Sequence, residues 1–227
     1  MKLVFLSSGG GGTAKAIHSL IQNEVTSIFG KNSFIKLIAD RECGATEWAS
    51  HSKIPYKIKN LESEESWHEL ANSEPIHTSD IIITTIHKII PSHFVEAHKD
   101  KLINLHYSIL PAFQGLIGKR TITESLEYGS KLFGATCHLV TEEVDAGRPI
   151  CQAVFAPKSY NTDELTHQSF LSGCLALTNG ISSLYASNAY NPSQRNTVNY
   201  KDMEYFVNPC HAETQAIIEF LCQNKYN

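Results

Sequence analysis

The chain has 227 residues, with 19 Lys+Arg against 23 Asp+Glu and a net charge of −4. That size suits one α/β domain with a small appendage, and the mild acidity argues against a basic face for nucleic acid. Hydrophobic residues make up 42%, which excludes global disorder and lets the chain bury roughly 70% of its unfolded surface.

Lys2–Leu6 is an apolar run that reads as a first strand. It is too short for the core of a signal peptide, and nothing in the chain approaches the ~20 apolar residues of a membrane span. Ser7–Thr13 is a Gly-rich turn, and Ala14, Ile17, Leu20 and Ile21 give Ala14–Asn23 helical spacing. Phe34–Ala39 is a second strand with Asp40 just past it, Thr46–Ser52 a helix, Tyr56–Ile58 a short strand and Glu62–Ala71 a polar helix. Asp80–Thr84 has the β-branched, continuously apolar character of a strand covered on both faces. Ser92–His98 reads as a helix, Leu102–Leu105 as a strand and Thr121–Gly129 as a helix closed by its glycine.

The alternation then stops. Phe133–Val140 and Pro149–Phe155 are two strands joined by the acidic turn Thr141–Gly147, an antiparallel excursion at the end of a parallel sheet. Thr162–Ser187 carries the apolar spacing of one long helix, which Gly173 and Gly180 would weaken by up to ~1 kcal/mol each. Asn188–Asn196 is a polar loop, and Tyr200–Asn227 an add-on with a short helix near Glu213–Gln223. The pattern predicts a doubly wound, mostly parallel α/β sheet with an antiparallel strand near its end. The domain spans 1–187, and residues 188–227 form a C-terminal extension.

The six cysteines form no CxxC pair and fit no zinc spacing. Several lie in apolar surroundings, which points to a reducing, cytoplasmic setting.

Gly9-Gly10-Gly11-Gly12-Thr13-Ala14 follows a strand and opens a helix. Missing Cβ atoms and free helical N–H groups make an anion site there physically sensible, with Gly10, Gly11, Gly12 and Thr13 as the cradle. Its blander reading is a tight strand–helix turn. Gly9-x-Gly11-x-x-Ala14 also satisfies the dinucleotide fingerprint, with Asp40 as the distant acid, so a dinucleotide-binding Rossmann protein stands as an alternative.

Asn104-Leu105-His106 ends an apolar strand, where ligands of open α/β sheets gather. Residues two apart on a strand share a face. Asn104 offers an amide to a developing oxyanion, and His106 can move a proton near neutral pH. Asp145, in the turn between the last two strands, can bond an imidazole or hold a water. Each also has an ordinary reading, as a satisfied buried histidine beside a turn asparagine and an Asx turn.

Together, Asn104-Leu105-His106-Tyr107-Ser108-Ile109-Leu110-Pro111, Gly115, Gly134…Thr136…His138-Leu139-Val140 and Asp145-x-Gly147 resemble the signature of folate-dependent formyltransferases. The resemblance runs from the first strand to about Leu184, and the length and layout are most similar to the glycinamide ribonucleotide branch. Methionyl-tRNA formyltransferases carry a larger C-terminal domain and formyltetrahydrofolate hydrolases an N-terminal regulatory one, whereas here the catalytic fold starts at residue 1.

The resemblance implies transfer of a formyl group from 10-formyltetrahydrofolate to a primary amine by a cytoplasmic monomer or homodimer. Glycinamide ribonucleotide, in purine biosynthesis, is the expected acceptor, and another amine such as an amino sugar nucleotide the alternative. It implies Asn104, His106 and Asp145 as the catalytic trio, with His138 supporting them. Ile86, Lys88, Ile89, Thr141, Glu142 and Val144 are the implied folate contacts, and no metal is required. The departures from the family pattern, Gly12, Thr13, Tyr107, Ile117 and Gly173, fall on the acceptor side.

Overall fold

The structure is a computed structural model and describes residues 1–185, 196–224 and 226. One nine-stranded sheet runs through it in the order β3-β2-β1-β4-β5-β6-β7-β9-β8. The first five strands in that order are parallel: β1 (Lys2–Ser7), β2 (Phe34–Ala39), β3 (Tyr56–Ile58), β4 (Ile81–Thr85) and β5 (Leu102–His106). Residues Leu3–Ser7 of β1 and Ile81–Thr84 of β4 are buried, as expected of strands covered on both faces.

Helices lie on both faces. On one, α1 (Gly12–Gln22), α2 (Gly44–His51) and α7 (Thr162–Tyr185) pack into a core with Phe5, Leu37, Ile83 and Ile103. On the other, α3 (Glu64–Ala71), the single turn α4 (Glu74–His77) and α5 (Ser92–His98) close a smaller core built on Trp67, Leu70, Ile76 and Phe94. α4, with Pro75 in its first turn, is absent from the sequence-based reading, because one turn carries too little periodicity to see. α6 (Lys119–Tyr128) ends at Gly129, whose φ of 84° closes the helix in the left-handed region.

β6 (Phe133–Leu139) runs antiparallel beside β5, and β7 (Pro149–Phe155) antiparallel beside β6. α7 is buried on all sides over Leu171–Ser182. Its two glycines are packing devices rather than weak points. A Cβ on Gly180 would lie 2.6 Å from Cys137 Sγ, and one on Gly173 would lie 2.7 Å from Tyr107 Cε1.

The antiparallel part of the sheet is larger than expected. β8 (Thr197–Tyr200) and β9 (Met203–Asn208) extend it, with β9 paired to β7. Met203, Tyr205 and Val207 alternate inward along β9, a period-2 pattern that the sequence reading passed over in favour of the helix after it. That helix, α8 (Thr214–Gln223), buries Ile217, Ile218 and Leu221. Glu213, just before it, takes bonds from the Thr26 hydroxyl (2.6 Å) and the Ser27 N–H (2.8 Å), tying the tail to the loop after α1. The predicted loop Asn188–Asn196 (save Asn196), the last two residues of the predicted helix and the expected domain boundary lie outside the described residues.

Candidate active site

β5 delivers Asn104 and His106 to the carboxyl end of the parallel strands, and β6 delivers His138 directly opposite Asn104. The register of β6 against β7 shifts between Cys137 and His138. Beyond β6 the chain folds back so that Asp145, at φ 55°, meets the end of β5. A left-handed conformation in a non-glycine residue costs about 1–3 kcal/mol and persists only where its surroundings fix it. Gly147 permits the fold-back, since a Cβ there would lie 1.7 Å from Leu139 O.

The three predicted catalytic residues converge. His106 Nδ1 lies 3.2 Å from Asp145 Oδ2, with side chains 5% and 9% exposed. Asn104 Nδ2 donates to Asp145 Oδ1 at 3.3 Å and to His138 Nε2 at 3.1 Å. His138 Nδ1 lies 2.8 Å from Leu139 O, so the proton sits on Nδ1 and leaves Nε2 to accept from Asn104. His106 Nε2 lies 3.0 Å from Phe113 O. Both of its ring nitrogens therefore face acceptors, and only the imidazolium donates to both.

The loop after β5 closes around Asp145. The Gly115 N–H donates to Oδ2 at 2.9 Å, and Gln114 Nε2 donates to the Asp145 carbonyl at 3.1 Å. Thr136, fully buried in β6, holds that loop by donating to Ser108 O (2.7 Å) and accepting from the Leu110 N–H (3.1 Å) and Gln152 Nε2 (3.1 Å). Gln114, Phe113 and Gln152 were not singled out by sequence reasoning. Phe113 and Gln114 lie in the loop after β5 and Gln152 in the middle of β7, and no local sequence pattern marks them.

Burial pushes the His106 pKa down, opposed by the Asp145 carboxylate and the Phe113 carbonyl. Burial alone would raise Asp145, yet the Gly115 N–H and His106 hold its carboxyl below the usual range. The site thus stabilises an anionic Asp145 beside an imidazole that gives up its proton readily.

A cleft of about 480 Å³ opens over these residues, within the ~300–1,000 Å³ of small-molecule sites. All six expected folate contacts, Ile86, Lys88, Ile89, Thr141, Glu142 and Val144, line it. Ile89, Ile117 and Val144 expose apolar side chains around its rim (79%, 53% and 51%), a surface suited to a flat ring. Lys88 Nζ pairs with the Glu62 carboxylate and lies 4.0 Å from Asp40 Oδ2.

The glycine turn lies elsewhere. None of Gly10, Gly11, Gly12 and Thr13 lines the cleft. The Thr13 hydroxyl is bonded to the Tyr107 hydroxyl at 3.2 Å, and a Cβ on Gly12 would meet the Phe170 ring at 3.2 Å. Burial raises the Tyr107 phenol well above its ordinary pKa, so it stays neutral. Asp40, the acid of the dinucleotide alternative, is engaged by Arg41 through bonds of 3.1 and 3.0 Å. Between α3 and α5, Glu64, His68 and His93 come together. The two imidazoles stack at 3.7 Å, and Glu64 takes the His93 proton at 2.9 Å, an interhelical contact between α3 and α5.

Residues 1–171 match the family described as formyl transferase. A chloroplastic phosphoribosylglycinamide formyltransferase of Arabidopsis thaliana is 30% identical over 173 residues, 72% of this chain and 58% of that protein. A formyltetrahydrofolate deformylase of Bacillus subtilis is 33% identical over 114 residues, 48% of this chain and 37% of its own length. The chain thus spans little more than half of the first relative and about a third of the second. Among solved structures, a phosphoribosylglycinamide formyltransferase from Coxiella burnetii superposes with a TM-score of 0.71 at 23% identity. That match covers 94% of this chain and 97% of the other, and it shows the same fold.

Proposed function

The chain belongs to the formyl transferase family, and from that premise we propose that it transfers a formyl group from 10-formyltetrahydrofolate to a primary amine. Glycinamide ribonucleotide, in purine biosynthesis, is the acceptor to which the Arabidopsis relative's name points. The observation that carries the reading is the meeting of Asn104, His106 and Asp145 within 3.3 Å contacts at the floor of one cleft.

In this reading the amine nitrogen attacks the formyl carbon and a C–N bond forms while the carbonyl π pair moves to oxygen. The Asn104 N–H and the His106 imidazolium stabilise that oxyanion, each such donor being worth about 10²–10³ in rate. Asp145, through a water, accepts the proton that leaves the attacking ammonium and passes it to the leaving nitrogen. The C–N bond to the folate then breaks as the carbonyl re-forms, releasing tetrahydrofolate and the formamide.

The apolar rim of Ile89 and Val144 suits the pterin ring. Lys88 would take a folate carboxylate in competition with Glu62. We assign the reaction to the cytoplasm, in keeping with six unpaired cysteines and with no described helix long and apolar enough to cross a membrane.

The test is release of tetrahydrofolate from 10-formyltetrahydrofolate in the presence of glycinamide ribonucleotide. Amine-dependent turnover lost in His106→Ala is the expected result. Release that needs no amine would mean hydrolysis and would overturn the assignment to transfer.

A further inference from the structure

The wall of the cleft divides into three parts. Thr84–Ile90 forms one side and Val140–Asp145 another, and they carry the six residues expected above to contact the folate. What remains for the acceptor is Tyr107 and Gly115–Gly118.

Tyr107 is built into its place. It follows His106 on the chain, so its side chain leaves the opposite face of the strand end. The ring fills the gap left by Gly173 in α7, where an added Cβ would meet Tyr107 Cε1 at 2.7 Å and Leu105 Cδ2 at 3.3 Å. Its hydroxyl reaches Thr13 in the first turn of α1 at 3.2 Å. One side chain therefore spans β5, α7 and α1, and Thr13 lies behind it as seen from the cleft. Gly9 and Gly10 have open space where a Cβ would stand, but the turn does not line the cleft.

We propose that Tyr107 is the specificity-determining residue on the acceptor side: its ring closes the passage between the cleft and the glycine turn. The tail of the acceptor leaves past Gly115–Gly118 and makes no contact with Gly10–Thr13. This rests on the formyl-transfer reading. It narrows the acceptor to primary amines whose recognition does not depend on a phosphate held at that turn.

The experiment compares kcat/KM for glycinamide ribonucleotide and for glycinamide in the wild type, Tyr107→Phe and Tyr107→Ala. The wild type is expected to favour the ribonucleotide by less than about tenfold, because its phosphate finds no grip. Tyr107→Phe keeps the ring and that ratio. Tyr107→Ala opens the passage and raises the ratio about tenfold or more. Should the alanine variant not fold, Tyr107→Leu keeps an apolar filler against Gly173 and still opens the Thr13 end.

Binding of ribose 5-phosphate, measured by calorimetry, needs no turnover. Binding that appears only when Tyr107 is shortened supports the proposal. Equal binding by the wild type, or an unmoved ratio in a folded, active variant, overturns it. Failure of the wild type to formylate any amine would instead remove the reading beneath it, and the calorimetric comparison would still decide whether Tyr107 closes the passage.

Discussion

Asn104 Nδ2 lies 3.1 Å from His138 Nε2, across a directly opposed pair of antiparallel residues. Its second N–H points at Asp145 Oδ1, 3.3 Å away. Both donors of the amide are therefore spoken for before substrate arrives. The longer contact is the one an oxyanion can take over, while the shorter one holds the amide plane. In the proposed reaction His138 acts through Asn104.

Replacing His138 with Ala is expected to lower kcat about 10²-fold, the scale of a misplacement of order 1 Å in a reacting group. KM for 10-formyltetrahydrofolate should stay within a few-fold, since His138 is 2% exposed and offers the folate almost no surface. His138→Gln, which can still accept from Asn104, should recover part of the loss. Steady-state kinetics of the two variants check this, and a change confined to KM would contradict it.

The pH dependence of stability follows from the two shifted groups. His106 is held below its ordinary pKa by burial, so below about pH 6.5 the unfolded chain binds the proton more readily and stability falls. That loss continues until the lowered folded pKa is passed. Asp145 is also held low, and its contribution, complete above about pH 3.9, is lost as the pH falls through its folded value. His18 and His98, lowered by burial too, add to the first phase. Urea unfolding from pH 7 to 5 should show a shallower decline in His106→Gln than in the wild type, by at most ~1.4 kcal/mol per pH unit. Identical slopes would mean that His106 titrates normally.

The parallel half of the fold was legible because its strands are continuous apolar runs with helical spacing between them, as in Phe34–Ala39 and Ser92–His98. The meeting of Asn104, His106 and Asp145 was legible because Asn104 and His106 share one strand end and Asp145 stands in the turn that returns to it. What the sequence hid depends on register and on distance along the chain. His138 falls opposite Asn104 only through the antiparallel pairing of β6, and Tyr107 meets Gly173 across 66 residues of chain. The glycine turn reads as an anion site from its missing Cβ atoms and free helical N–H groups, and it does not line the cleft. β8 and β9 escaped because six-residue alternation in a polar tail is a weak signal beside the helix that follows.

Gly147 should tolerate no side chain. A Cβ would stand 1.7 Å from Leu139 O and 2.7 Å from its carbonyl carbon, both backbone atoms that cannot swing aside. Gly147→Ala must therefore lift the turn that carries Asp145. A destabilisation of about 2–3 kcal/mol is expected, with a fall in Tm of some 5–10 °C for a chain of this size. Activity should fall even where the variant is folded, because Asp145 moves off His106. Calorimetry together with a kcat measurement below the transition separates the two effects, and a variant with wild-type Tm would show that the turn can relax.

Asp145→Asn tests the proton path. The carboxylate takes Gly115 N–H and faces His106 Nδ1 through Oδ2, and takes Asn104 Nδ2 through Oδ1. An amide that keeps its oxygen on the Oδ2 side turns its own NH₂ toward Asn104 Nδ2, donor against donor across 3.3 Å. Asn104 is thereby displaced, and no base remains to take the proton from the attacking amine. A loss of about 10³-fold in kcat is expected, at least that of one oxyanion donor. The pH profile carries the sharper signature. The mechanism uses protonated His106, so kcat declines as pH rises through its pKa. Asp145 supports that protonated form, so removing its charge lowers the pKa further and moves the descending limb to lower pH. A variant near the wild-type rate would remove Asp145 from the proton path. A limb that stays in place while kcat falls would leave it a role in transfer but none in holding the His106 proton.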